Sequence, residues 1–235
     1  MVSTETPAVA PTSRRLASVS VAGIVIAIAT VLVLHVVPPT SRLDPIHETI
    51  SAYGLTDIGW VFNGAVVLLA ASSALLVVAV VLDRQLKAIS VGTVMLTLWA
   101  AGMAAVAVFE KTDWAVGPSV TGSIHRAASV VAFLALPIGA ASVIGRGLRR
   151  WSSAPDRGLL ITGLAFTVAS VGYLAYVVWL IADARASQVA WWQAIPLGLT
   201  ERVLVLLETG ALLCIALRTA RSVTKPHSSV TSCDG

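Results

Sequence analysis

A histidine held near a carboxylate can act as a general base, and two such groups with a third ligand can hold a metal. The stretch from Phe109-Glu110-Lys111-Thr112-Asp113 to Gly122-Ser123-Ile124-His125-Arg126 supplies these residue types between two apolar runs. The Gly117-Pro118-Ser119 segment between Asp113 and His125 folds back easily, and His125 opens an apolar run, so its ring can reach a carboxylate on a neighbouring loop. Asp113, His125 and His47 are therefore the candidate catalytic residues. The plainer alternative is that Ser123 caps a helix and the charges stay in water.

A second polar group lies in Asp44-Pro45-Ile46-His47-Glu48-Thr49-Ile50-Ser51-Ala52-Tyr53-Gly54. Asp44 suits an N-cap, Pro45 a first helical residue, and Gly54 the end of a turn. A short helix here would align Ile46, Ile50 and Tyr53 on one stripe and His47, Glu48 and Ser51 on another. It either aims a polar cluster at a cavity or lies flat at the membrane interface. A third group opens the last apolar run. Glu201 and Arg202 fall in its first turns, and Glu208 lies two turns, about 10 Å, deeper on the same face. Glu201 is favoured there by the helix dipole, and Arg202 can snorkel outward. A carboxylate as deep as Glu208 costs several kcal/mol unless it is neutralised, hydrated or paired. Glu48, Ser51, Glu201, Arg202 and Glu208 are the candidate ligand-binding residues.

The elements that carry these groups are written in the composition. Of 235 residues 57% are hydrophobic and 12% charged, about half the charged fraction of a soluble domain. Apolar runs of about 20 residues recur between polar breaks, the pattern of membrane-spanning helices. Spans are expected near Leu16–Val37, Trp60–Leu82, Ala88–Phe109, Ile124–Ile144, Gly158–Ala182 and Leu197–Leu217. The first is too long for a signal-peptide core, and its exit lacks a small-x-small cleavage site, so it reads as an uncleaved span. Residues 1–15 and 219–235 read as disordered cytoplasmic tails flanking a six-span domain over 16–218. The expected fold is an all-α polytopic membrane bundle.

Charge gives its orientation. Arg14, Arg15, Arg84, Lys87, Arg146, Arg149, Arg150, Arg157, Arg218, Arg221 and Lys225 fall at one end of the spans. Only Arg42, Lys111, Arg126, Arg185 and Arg202 fall at the other. Lys and Arg accumulate on the cytoplasmic side, so both termini are expected inside, in the cytoplasmic membrane. The basic residues follow topology, and no nucleic-acid partner is implied. Asp44, Glu48, Asp57, Glu110, Asp113, Asp183 and Glu201 gather at the outer end with His47 and His125. Trp60, Trp114, Trp191 and Trp192 sit at outer boundaries and Trp151 at an inner one, as an aromatic belt requires. Cys214 in a span and Cys233 in a tail form no disulfide pattern, and no CxxC, HExxH, nucleophile elbow or phosphate loop is present. No cofactor is expected; His47, His125 and Asp113 are the one mixed set with metal-ligating chemistry.

Three segments together resemble a known family: His47-Glu48-Thr49-Ile50-Ser51, Phe109 to Asp113 with His125-Arg126, and Gly198-Leu199-Thr200-Glu201-Arg202. Their order and spacing are similar to the bacterial and archaeal membrane family called domain of unknown function 998, over Leu16 to Arg218. A proline often follows the phenylalanine in that family, where this chain has Glu110-Lys111. The resemblance implies a multi-span bundle with these positions as its signature, and it implies no activity, cofactor or substrate. Three functional classes follow from the residues, in this order: binding of a membrane lipid or a membrane-protein partner through the outer cluster, lipid-modifying or hydrolytic catalysis by the same cluster, and transport with Glu208 as the titrating group.

Overall fold

A computed structural model of the chain describes residues 10–150, 157–190, 192 and 195–221. Six long helices run through it: α1 (Ala10–Leu34), α2 (Gly59–Leu82), α3 (Val91–Val108), α4 (Val120–Arg150), α5 (Arg157–Ala186) and α6 (Leu197–Arg221). Each contains a stretch long and apolar enough to cross a membrane, and no strand occurs among the described residues. The expected all-α six-span bundle is the observed one.

The helices pack in sequence order as a ring, α1 on α2, α2 on α3, α3 on α4, α4 on α5 and α5 on α6. The ring closes between α6 and α1, and α6 also touches α4 and α2. α6 is accordingly the most buried helix and α5 the least. Apolar side chains clothe the outside, among them Ile26, Val67, Val131, Leu134, Val168 and Leu206. That surface suits hydrocarbon rather than water. Between helices the contacts are close because the facing residues are small. A Cβ on Gly102 would stand 3.0 Å from the Ala128 carbonyl, so α3 and α4 approach backbone to backbone there. Inside, hydroxyls join helices: Ser20 donates to the Ser72 carbonyl at 2.8 Å, and the Trp99 indole donates to Ser73 Oγ at 3.0 Å.

Several boundaries differ from those read in the sequence. α1 starts at Ala10, ahead of Leu16, and Arg14 Nε donates to the Ala220 carbonyl at 3.3 Å, tying the first turns of α1 to the last of α6. Residues 10–15 and 219–221 are thus helical, whereas 1–9 and 222–235, with Cys233, lie outside the described residues, as do Trp151 and Trp191. Trp60, Trp114 and Trp192 are exposed near helix ends, as expected of a belt. The cap of α4 is Ser119, whose Oγ accepts from Gly122 N at 3.0 Å. Ser123, expected to cap, donates back to the Ser119 carbonyl because the helix begins three residues earlier, at Val120. The 44–54 connector forms a turn and then a 3-10 helix over Ile50–Leu55 that contains Gly54. It does not lie flat on the membrane: Ile50 and Tyr53 enter the bundle core, while Ile46 stays exposed.

Candidate functional site

The end of the bundle opposite the termini is built from the 35–58 connector, the 109–119 connector and the start of α6. Two backbones approach closely at Gly198. A Cβ there would lie 2.8 Å from both the Glu48 carbonyl carbon and the Pro45 oxygen, so only glycine lets the connector backbone cross the helix start. Leu199 N then donates to the Ile46 carbonyl at 3.0 Å. One turn further, Arg202 locks the crossing. Its Nη1 donates to the carbonyls of Pro45 (2.9 Å), Glu48 (2.7 Å) and Gly198 (3.0 Å), and its Nη2 to the Tyr53 hydroxyl at 3.0 Å. Its Nε donates to His35 Nε2 at 3.1 Å. That acceptor role puts the ring proton of His35 on Nδ1, which donates to the Val31 carbonyl at 2.7 Å. Arg202 is thus engaged on all sides by the fold.

Beside this knot lies a second polar group that the fold leaves less occupied. Glu201 Oε2 accepts from Ser51 N at 3.3 Å, and Ser51 Oγ lies 3.0 Å from Thr49 Oγ1. Lys111 Nζ, arriving from the 109–119 connector, donates to the same Thr49 hydroxyl. Lys111 is half-buried, and burial holds its ammonium below the usual lysine range against the opposing pull of Glu201 and Glu48. Among the described residues no direct ion pair joins Lys111 to a carboxylate; the one contact under 4.0 Å between a carboxylate and a basic side chain is His47 with Asp44. Lys111 and Glu201 are therefore linked through the 49–51 segment, Lys111 by the Thr49 hydroxyl and Glu201 by the Ser51 amide. Gly122 lets the connector reach this position: a Cβ there would stand 2.5 Å from Thr112 N and 2.8 Å from Thr112 Cα.

His125 is buried next to this group, within electrostatic reach of Glu201. Its Nδ1 donates to the Phe109 carbonyl at 2.8 Å, which leaves Nε2 as the acceptor nitrogen. The other two candidate catalytic residues have local partners instead. Asp113 is exposed and closes its own turn, its Oδ1 accepting from Ala115 N at 2.9 Å. His47, with a side chain 72% exposed, pairs through Nδ1 with Asp44 Oδ2 at 2.6 Å. That hydrogen bond is the main reason the Asp44 carboxyl is held below its ordinary range. Among the described residues no hydrogen bond links His125, Asp113 and His47, and no group of three or more His, Cys, Asp or Glu side chains is arranged to hold a metal.

The structure thus brings Ser51, Glu201 and Arg202 together, with the Glu48 backbone on Arg202 and the Glu48 carboxylate in the field of Lys111. Glu208 lies apart, two turns deeper and 1% exposed. Ser170 Oγ on α5 donates to its Oε1 at 3.0 Å, while Oε2 has no hydrogen-bond partner among the described residues. Four residues of the site escaped the sequence reading as site members: Lys111, Thr49, Tyr53 and His35. Lys111 was legible as the lone base in an otherwise acidic connector, but its inward turn was not.

A family model described as "Protein of unknown function (DUF998)" matches residues 21–218. No curated protein and no solved structure matches the chain.

Proposed function

The chain belongs to this family of unknown function, and from the geometry of its site we propose that it is a multi-pass membrane protein that binds the polar headgroup of a membrane lipid. The observation that carries this reading is the pair of opposite charges, Lys111 and Glu201, both half-buried at the same end of the bundle and linked through the Thr49 hydroxyl and the Ser51 amide rather than joined directly. A half-buried cation beside hydroxyl donors suits a phosphate, and a carboxylate a short distance away suits an ammonium. A zwitterionic phospholipid headgroup carries both groups on one short linker. The exposed apolar flanks of the adjoining helices suit its acyl chains. The Lys/Arg bias of the chain supports reading this end as the extracytoplasmic one, in the cytoplasmic membrane.

The test is lipid co-purification. Protein extracted with its native lipids is stripped of loosely held lipid, and the remainder is identified by mass spectrometry for wild type, Lys111→Met and Glu201→Gln. Wild type is expected to retain a zwitterionic phospholipid, and each variant to retain about tenfold less, the loss of one charge-assisted contact. Equal retention by folded wild type and both variants would remove the reading.

One observation favours catalysis on the lipid as a second reading: His125, with Nδ1 fixed and Nε2 left basic, stands near Glu201. Comparative lipid profiling of a deletion strain complemented with wild type or His125→Ala separates the two, since only a catalytic histidine makes a lipid species accumulate. Transport through Glu208 has less support. Between Glu208 and Arg218, the next buried charged residue of α6, the buried residues are Thr209, Ala211, Leu212, Cys214, Ile215 and Ala216, most of them apolar.

A further inference from the structure

The end of the bundle that carries both termini has a feature the headgroup site does not use. A cavity of about 680 Å³ opens between the α2–α3 connector and the last turns of α4. Arg84, Lys87, Arg146 and Arg149 line it, over an apolar floor that includes Val81 and Leu86. No carboxylate lines it among the described residues. The nearest in sequence, Asp83, is occupied: its Oδ2 accepts from Gln85 Nε2 at 2.7 Å. Gln85 is itself consumed by the fold, its Oε1 accepting from Arg218 at 2.7 Å and its Nε2 donating to Thr219 at 3.0 Å. Among the described residues no carboxylate lies within salt-bridge distance of Lys87, Arg146 or Arg149.

A bias of basic residues toward one side of a membrane needs only their number, not their convergence on one hollow. Lys87, Arg146 and Arg149, without a carboxylate partner among the described residues, face one cavity and repel each other unless an anion enters it. The backbone also pays to present the cavity's fourth cation. Arg84 sits at φ +55, in the left-handed region where a helix end ordinarily takes glycine, while Gln85 N closes the turn onto the Val80 carbonyl at 2.9 Å. Backbone strain of this kind is tolerated where the surroundings enforce it. The floor is apolar, and Ile89, just beyond Lys87, is 91% exposed. A ligand here meets guanidinium and ammonium groups and hydrocarbon within one hollow.

We propose that this cavity is a binding site for a phosphate group, carried by the headgroup of an anionic phospholipid of the leaflet at the termini end. Guanidinium groups recognise phosphate through paired N–H donors, and basic pockets between membrane helices are suited to phosphorylated headgroups. The site is independent of the Lys111–Glu201 group, which lies at the other end of every helix involved.

The experiment uses the full chain in mild detergent and native mass spectrometry, with phosphatidylglycerol, diacylglycerol and inorganic phosphate as separate probes. Wild type is expected to hold phosphatidylglycerol more tightly than diacylglycerol, and Arg146→Gln with Arg149→Gln to weaken it by about fivefold for each charge removed. Arg126→Gln with Arg185→Gln, the same charge change at the opposite end, is expected to leave it unchanged. Saturable binding of inorganic phosphate that displaces phosphatidylglycerol upholds the phosphate site and assigns it to a soluble ligand. Wild type that does not distinguish the two lipids overturns the proposal, as does an equal loss in the control pair, which would indicate diffuse attraction rather than a site. Should the Arg146/Arg149 variant fail to fold, the wild-type comparison of thermal unfolding with each lipid decides: no preferential stabilisation by phosphatidylglycerol refutes the site.

Discussion

Replacing Arg202 by methionine tests whether the charge at the start of α6 is a ligand contact or a structural anchor. The structure makes it an anchor, with five hydrogen bonds from one guanidinium to His35 just after α1, the 44–54 connector and its own helix. They do not count equally. The Pro45 and Glu48 carbonyls are solvent-exposed, so water takes over when the guanidinium goes. The Gly198 carbonyl lies one turn back in the same helix and adds little to the tie. The half-buried contacts to Tyr53 and His35 remain, each a hydrogen bond from a charged donor worth about 1.5–3 kcal/mol. Allowing for their coupling, the connector should lose about 3 kcal/mol of local stability, a rise of more than about a hundredfold in its opening constant. Hydrogen exchange in detergent reads this directly at the Leu199 amide, bonded to Ile46, and at the Ala52 amide, bonded to Thr49. Amides in the middle of α3 should not change. Arg202→Lys should fall between, because a point charge with three donors cannot reproduce the planar fork. A rise below about tenfold at both amides for Arg202→Met would refute the anchor, since it leaves less than about 1.4 kcal/mol for the whole set.

Three further outcomes follow from other contacts. Lys111 should titrate below the ordinary lysine value, measured by NMR of the dimethylated amine, and Glu201→Gln should lower it further by removing a charge that supports the ammonium. Because the folded-state value lies below the unfolded one, the unfolded chain binds the extra proton between them, and stability should rise with pH through that window; Lys111→Met should flatten the rise. Ser170→Ala should destabilise the bundle by about 1–3 kcal/mol by leaving Glu208 without its one protein partner. The double variant with Glu208→Leu should cost less than the sum of the two, because both polar groups are then gone, and an additive cycle in chemical unfolding would show that the pair does not interact. Gly122→Ala should displace the 109–119 connector, since its methyl group would overlap the Thr112 backbone, and should weaken retention of headgroup while hydrogen exchange in α1 and α2 stays as in wild type.

The helices were legible because hydrocarbon is an undemanding environment: an unbroken apolar run of sufficient length has few alternatives to a spanning helix. Hence the span expected at Trp60–Leu82 is observed as Gly59–Leu82. Ends were less legible, because they depend on single hydrogen bonds. Ser119 and Ser123 are both competent caps, and the choice falls to whichever hydroxyl meets an unpaired N–H. The convergence of Ser51, Glu201 and Arg202 could be anticipated from their shared end of the bundle, whereas the place of Lys111 could not. A lysine in a charged connector usually points to water, and its burial depends on Gly122 and Gly198 letting two connectors close over α6. Asp113 and His47 illustrate the converse: each stands two or three residues from a local partner, Ala115 N and Asp44, that a turn satisfies before any long-range contact forms.

The buried polar residues of α6 have a common property that bears on how a ligand would act. Each of the four charged ones among them reaches beyond its own helix: Glu201 to the 44–54 connector, Arg202 to that connector and His35, Glu208 to α5, and Arg218 to Gln85 after α2. Hydrocarbon provides no hydrophobic drive to hold one helix against another, so such polar contacts fix rotation and register where apolar packing alone would tolerate several. Turning α6 by one residue, about 100°, would break all four matches at once. The helix is therefore pinned along its length, and the least completed contact along it is the gap between Glu201 and Lys111. A headgroup bridging that gap would join the 109–119 connector to α6, two elements that the direct hydrogen bonds of the site link only through Thr49 and Ser51. Ligand occupancy should then appear as protection of the connector between α3 and α4, with little change within the already pinned helices. Hydrogen exchange with and without added zwitterionic lipid measures that difference, and protection spread evenly over all six helices would mean that the lipid acts as solvent and not as a ligand.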